Sequence, residues 1–456
     1  MPLLSKRGSS SSKGFGALIT YGSSEWLWIY RLNPAPATTS FPYAPPTIFY
    51  DSSTRNTWIS FYTPLSYNTA FLGNHKTLKI SSSNQLSEPS GISSYFNTAN
   101  PTYRYKLDGL GNTSMYSVGS GLQLITATYY TRPGLIQMGS TGVSGTTWFP
   151  AYTDATYMTP YTWASSLAFI SGTPTVFYSA QYAVGTPTKD IFGSINTSSS
   201  VGFSKYLLTS ASATVYVNSI KYNPVDSFVY IHGYNSTGQG FLAKYSTAGV
   251  LQWQRQFTTP ANSSSGSIAF SGTDIYIAVS SSANVNMIKY SNAGTISTGR
   301  AITTSSGFFV NDMIILPNGN FLLIDSSGNY MVLNNNFIPV ISKSFVFASA
   351  NNYALSNYVQ IDDDYNIYIS GYTVVGSAAP YDTNQFIIKM PIYSKKTQTY
   401  TIGATTLTSS LLSPTSSALT PADAAGTHIE TSVAVSGTSV GWTTVGDNPS
   451  TTITIQ

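Results

Sequence analysis

Cysteine is absent from this 456-residue chain, so neither disulfides nor thiolate metal ligands can hold it together. Charge is scarce as well. Asp, Glu, Lys and Arg make up 8% of the residues, against roughly 25% in average soluble proteins. The net charge is +4, and the only basic clusters are Lys6-Arg7 and Lys395-Lys396. That excludes the Lys/Arg stripe a nucleic-acid groove needs. Long apolar runs are missing too. Ala17-Leu18-Ile19-Thr20 is too short for a signal peptide, and no stretch has the length of a membrane-spanning helix, so membrane insertion is not expected. The acid–base inventory is thin. The three histidines, His75, His232 and His428, fall far apart, and so do the three glutamates, Glu25, Glu88 and Glu430. A metal triad, a Ser-His-Asp arrangement or a paired-carboxylate glycosidase site finds no supporting spacing. We expect no enzyme, no cofactor and no metal.

What the chain does have is a strand cassette with a fixed period. Tyr230, Tyr276, Leu322 and Tyr368 are the third residues of four aligned segments, each 46 residues after the last. Each cassette opens on an apolar-rich strand such as Ser219-Ile220-Lys221-Tyr222. It turns through residues that favour turns, such as Asn223-Pro224, Ser271-Gly272, Asn318-Gly319 or Asp362-Asp363-Asp364. The periodic strand follows, then a third strand ending near Lys244, Lys289 or Lys389, then an outer strand such as Leu251-Gln252-Trp253. A period in the 40s made of short strands marks a β-propeller, with four antiparallel strands per blade.

The segment "FLAKYSTAGVLQWQRQF" (241–257) resembles the bacterial SBBP-type β-propeller repeat, and "DDDYNIYISGY" (362–372) resembles the same family's strand, with Tyr365 where that pattern carries Gly. The resemblance is good over 215–392. Upstream, "TIFYDSSTRNTWISFY" (47–62), "SMYSVGSGLQLITA" (114–127) and "SSLAFISGTPTVFYSA" (165–180) repeat the strand–turn–strand beginning with longer loops. Three degenerate blades plus four clear ones predict an all-β, seven-bladed propeller over 45–396. Fold alone does not fix function, because propellers host many chemistries.

The flanks differ from the ring. Residues 1–16 are Ser/Gly-rich and are expected to form a flexible anchoring arm. Residues 17–44 hold strand-like runs, then a Pro-rich passage; "EWLWIYRL" is a candidate to complete the last blade. Residues 397–456 contain no Lys or Arg and few large apolar residues. They are either a small β module or an assembly arm that adds strands to a neighbouring molecule.

A Tyr/Ser/Thr/Asn surface, no disulfides and no secretion signal together suit a virion component, made in a host cytoplasm and released by lysis. The opening "RGSSSSKGFG" (7–16) resembles leaders of virion structural proteins of marine tailed phages. This resemblance implies a tail- or capsid-associated appendage, oligomeric in the particle, that binds other virion proteins through the arm and the tail. The alternative is a secreted or surface lectin-like module. Binding residues are expected in upstream loops rich in aromatics: Tyr129, Tyr130, Trp148, Tyr152, Tyr157, Tyr161 and Trp163. Tyr and Trp can stack on a host surface glycan or anchor a protein; equally, they can pack between outer strands and the Pro-rich segment. Asp362, Asp364 and Asn366 superficially match the start of a calcium loop. Ile367 replaces its glycine and Thr373 its glutamate, so a turn is the simpler reading.

Overall fold

The computed structural model describes the chain from Trp28 to Ile455 with breaks, the longest undescribed stretches being 1–27, 34–46, 65–72, 95–105 and 442–451. The expected arm at 1–16 and the candidate Tyr157 lie outside the described residues. The described strands form seven antiparallel sheets. We number the sheets I to VII in chain order. Sheet IV shows the plan, with strands Val215–Asn223, Phe228–Asn235, Gly240–Ser246 and Leu251–Thr259 in sequence order. We call these the inner, second, third and outer strands. The inner strands of sheets III, IV, V and VI pack on one another in turn, so they converge on a common axis. This is a β-propeller.

Sheets contact in chain order all the way round. Phe177 and Phe192 of sheet III share an apolar cluster with Val229 and Phe241 of sheet IV. Ile277 and Tyr290 of sheet V cluster with Tyr230 and Leu242 of sheet IV. Phe321 and Met331 of sheet VI join Met287 of sheet V, and Leu322 and Ile324 join Ile367 and Phe386 of sheet VII. The circuit closes where Thr47–Asp51 of sheet I packs on Lys106–Leu110 of sheet II and on Asn366–Val375 of sheet VII. Both faces of sheets IV, V and VI are covered, which is why their second and third strands read as apolar runs rather than alternations. Each fully buried Leu, Ile, Val or Phe contributes about 1.5–3 kcal/mol.

The chain closes its own ring. Trp28–Asn33 is the outer strand of sheet VII, pairing with Asp382–Pro391 in the register Trp28↔Lys389 to Leu32↔Gln385. The turns follow the period. The Tyr365 N–H donates to the Asp362 carbonyl and the Asp362 N–H to the Asn366 carbonyl, as Gly319 does to Leu316 and Leu316 to Asn320 46 residues earlier. Tyr365 adopts φ +59° there, against +83° for Gly319. A side chain in this left-handed region costs roughly 1–2 kcal/mol.

Two upstream expectations change. "SMYSVGSGLQLI" is not a strand–turn–strand but one strand, Ser114–Ile125, paired along its length with Thr128–Gly139. Its Gly119 and Gly121 pair inside the ladder, opposite Gly134 and Arg132. The segments expected as aromatic loops also include strands: Thr128–Gly139, Thr146–Tyr152 and Met158–Ile170. Pro133 and Pro150 suggest loops, but both stand in ladders: Pro133 opposite Ser120, and Pro150 opposite Gly437 and beyond Thr147 and Trp148, the two residues of its strand that pair with Thr128–Gly139.

The tail takes its partners from its own chain. Thr405–Leu411 pairs with the outer strand of sheet VI, Thr415–Ala418 with V, Ala422–Ala425 with IV, Ile429–Ser432 with III and Val435–Gly441 with II. Thr452–Ile455 then pairs with Trp28–Asn33 in sheet VII. The tail therefore runs backwards around the rim and gives these sheets an extra strand each, and sheet VI a second, Gln398–Ile402; we call it the belt.

The belt has its own period. Leu411, Ala418, Ala425, Ser432 and Ser439 stand opposite Lys343, Arg300, Arg255, Lys205 and Trp148, one residue per sheet. Each step is seven residues, and seven extended residues reach about 23–25 Å. Pro414 and Pro421 precede two belt strands, and His428 precedes the third. Proline fits there because it needs no donor and favours an extended chain.

Candidate functional site

Three features of the described residues carry chemistry beyond packing. The first recurs between strands. Lys244 pairs with Asp226 at 3.2 Å, Lys289 with Asp274 at 2.7 Å and Lys389 with Asp362 at 2.7 Å. The three ammonium groups lie 5.5, 5.4 and 5.2 Å from the ring centres of Tyr230, Tyr276 and Tyr368. In sheet VI the corresponding residues are Leu322 and Val332, which pair with each other. Tyrosine at the periodic position thus comes with its lysine, and leucine comes with valine. Asx turns account for only part of these aspartates. The Asp362 carboxylate accepts from Lys389, from the Asn366 side chain and from the backbone of Asp364 and Asn366. It is filled by donors, which favours the turn over a calcium loop.

The second feature lies at the axis. Lys221, on the inner strand of sheet IV, reaches past sheet V to Asp312 of sheet VI at 2.8 Å and to the Met313 carbonyl at 2.9 Å. Ser267 of sheet V donates to the same carboxylate at 3.3 Å. One carboxylate therefore ties three consecutive inner strands.

The third is the attachment of the belt. Glu430 meets Lys205 of sheet III at 2.5 Å, and Ser416 accepts from Arg300 of sheet V at 3.3 Å. Burial first, and the Glu430 carboxylate second, push the Tyr245 hydroxyl of sheet IV well above its ordinary range. Burial and Asp423 do the same to Tyr290 of sheet V, partly offset by Arg255. The belt places Ser416, Asp423 and Glu430 at seven-residue intervals. The two acids adjoin tyrosines of the next sheet; where that sheet carries Leu333 in the matching place, the belt residue is serine.

The candidate aromatics divide. Tyr129 and Tyr130 begin the third strand of sheet II, and Tyr152 ends its outer strand. Tyr161 lies near the start of the inner strand of sheet III. All four backbone positions lie at the end of the ring where second strands hand over to third strands, which we call the loop end. Trp148 instead sits within an outer strand, opposite Ser439 of the belt, and Trp163 lies within the inner strand of sheet III. Sequence reasoning missed Tyr216 and Tyr234, which are half-buried at the loop end of sheet IV with ring centres 5.1 Å apart.

One histidine stands apart and two meet at Phe241. His75 lies on Gly73–Ile80 of sheet I. His232 is fully buried in sheet IV, with Nδ1 donating to the Phe241 carbonyl at 2.8 Å. His428 lies at the belt corner, edge-on to Phe241 at 4.9 Å. Burial pulls both His232 and His428 down to about 4, so they are neutral at physiological pH.

No family model matches the chain, and no curated protein matches it. Solved structures resemble it only distantly. The periplasmic gluconolactonase PpgL of Pseudomonas aeruginosa shows 10% identity and a TM-score of 0.36, covering 80% of this chain and 100% of its own. The NanB sialidase of Streptococcus pneumoniae shows 11% identity and a TM-score of 0.36, covering 79% and 69%. A protein of unknown function from Bacteroides caccae shows 11% identity and a TM-score of 0.32, covering 61% and 85%. Likeness at this level carries no argument about activity.

Proposed function

We propose that this chain is a non-enzymatic structural protein of a tailed-phage virion: a seven-bladed propeller of SBBP-type repeats, borne as a tail- or capsid-associated appendage. The observation that carries this reading is the belt. An appendage must persist outside the cell, and a chain that folds in a reducing cytoplasm cannot use disulfides to do so. Here the outer strands of sheets II to VI are covered by the chain's own backbone, without cysteine. The belt strands are short and Ser/Thr/Ala-rich, two of them preceded by proline, and so are poor templates for further pairing. In this reading the tail belongs to the ring, and residues 1–16 make the contact with other virion proteins.

The test is mass spectrometry of particles purified from a lysate. We expect peptides from both the ring and the belt, in constant ratio to a major capsid protein. Recovery of the chain only as free protein in the medium would overturn the virion reading in favour of a secreted lectin-like module.

A further inference from the structure

One strand of the belt is of a different kind. Sheets II to V each take a single belt strand, but sheet VI takes two, Thr405–Leu411 and beyond it Gln398–Ile402. Sheets II to V end at their fifth strand and sheet VI at its sixth, so Gln398–Ile402 stands one strand spacing further out, about 4.7–4.9 Å. Among the described strands it pairs with Thr405–Leu411 alone.

Its build differs too. Thr415–Ala418 and Ala422–Ala425 bury no residue. In Gln398–Ile402 burial alternates: Tyr400 and Ile402 lie in the apolar cluster shared by sheets VI and VII, while Thr399 and Thr401 are exposed. No proline stands next to it. The strand is anchored on one face and open along its outer edge.

The open groups can be assigned. The Thr406 carbonyl accepts from the Ala348 N–H, on the side away from Gln398–Ile402. Thr401↔Thr406 is therefore a pair without mutual backbone hydrogen bonds. Pairs alternate along an antiparallel ladder, so Thr399↔Thr408 is of the same kind. Gln398 agrees with this, since its N–H and C=O both turn inward to the Ser409 hydroxyl, at 3.1 and 3.3 Å. Thr399 and Thr401 thus direct two backbone donors and two acceptors outward.

We propose that Gln398–Ile402 is a self-pairing edge, through which two copies of this chain join antiparallel about a twofold axis at Tyr400. That register sets Thr399 of each copy opposite Thr401 of the other. All the outward donors then meet outward acceptors, making four backbone hydrogen bonds. The side chains fit the same register. Threonine already faces threonine at Thr399↔Thr408 and Thr401↔Thr406, with the hydroxyls of the first pair 3.1 Å apart, and the new pairs extend those rows. The strand carries no charge, and Lys395 and Lys396, just before it, fall at opposite ends of the two paired strands. An identical strand is a full complement, as a twofold contact requires. Four backbone bonds with little apolar burial make the contact small and reversible. The inference goes beyond the appendage reading and does not depend on it.

The test is sedimentation velocity of the purified full chain over a concentration series. We expect a reversible dimer. Thr399→Pro removes one outward donor per copy and no backbone bond within the chain, and proline is tolerated on an edge strand. It should weaken the dimer at least about tenfold, with circular dichroism and melting temperature unchanged. Thr399→Val keeps the N–H and should dimerise as the native chain does. A second measurement covers a proline variant that fails to fold. The chain has no native cysteine, so Thr399→Cys and Thr401→Cys chains can be mixed and oxidised. Opposed residues lie within disulfide range, whereas like residues of the two copies stand two positions out of register and lie beyond it. The mixture should crosslink and each variant alone should not. The proposal is overturned by a chain that stays monomeric up to its solubility limit, or by a folded proline variant that dimerises like the native chain. Weakening by valine as great as by proline, or crosslinking of either cysteine variant alone as fully as the mixture, overturns it equally. Any of these results leaves the mass spectrometry of particles as a separate test of the virion reading.

Discussion

Asp190 is buried, and burial pushes its carboxyl up to about 7, only partly opposed by the Val217 N–H. Between about pH 4 and pH 7 the unfolded chain has lost this proton while the native chain keeps it, so this residue makes stability fall as pH rises. His232 and His428, pulled down to about 4, act in the opposite sense. Between about pH 4 and pH 6.5 the unfolded chain takes up protons that the native chain does not, so stability rises with pH. The contributions offset each other over much of the acidic range. Asp190→Asn keeps an acceptor for Val217 and removes one side of the balance. Its melting temperature, relative to that of the native sequence, should rise progressively from pH 4.5 to pH 7; a constant difference across that range would show that the native carboxyl is already ionised. None of this was legible in the sequence. Asp190 stands outside the 46-residue pattern, and its burial depends on the inner strand of the next sheet.

At the scale of elements, strands whose apolar residues face two neighbours were legible, and those held mainly by backbone pairing were not. Tyr230, Tyr276, Leu322 and Tyr368 announce their strands because each packs between sheets. The belt offers no such pattern. Its strands are small polar residues, and its period shows only in Ser413-Pro414, Thr420-Pro421 and Thr427-His428. The upstream strands were hidden for another reason: Pro133 and Pro150 suggest loops, yet both stand within ladders. The belt also sets an expectation for truncation. Ending the chain after Thr397 would bare outer strands such as Leu251–Thr259 and Pro339–Phe347, each nine residues long. Edges of that length pair readily with other chains. The truncated protein should form oligomers or aggregates by light scattering at concentrations where the full chain is monodisperse; a stable monodisperse truncation would show that the belt does not guard these edges.

At the scale of the molecule, the axial Lys221–Asp312 pair, the Trp28–Asn33 closure and the belt all act on one ring. Because the chain has no native cysteine, the belt can be locked cleanly. Gln256 and Ala424 are Cα partners, and directly opposed antiparallel residues are about 4.5–5.5 Å apart, within disulfide range. Gln256→Cys/Ala424→Cys should oxidise within one chain, stay monomeric on a non-reducing gel and melt at a higher temperature, with the gain abolished by reductant. A crosslinked dimer would mean that belts are exchanged between copies. The order of the sheets also has a consequence for the timing of folding. Among the described strands, the one that completes sheet VII is made before all the others, the strands it joins are made late, and the strand that covers it, Thr452–Ile455, follows them all. A chain still emerging from the ribosome can assemble its middle sheets but cannot finish the ring or cover its seam. Unfolding meets the same order in reverse: Thr452–Ile455 must peel away before Trp28–Asn33 can leave, so the seam is guarded by a strand that arrives after the sheets it joins are in place.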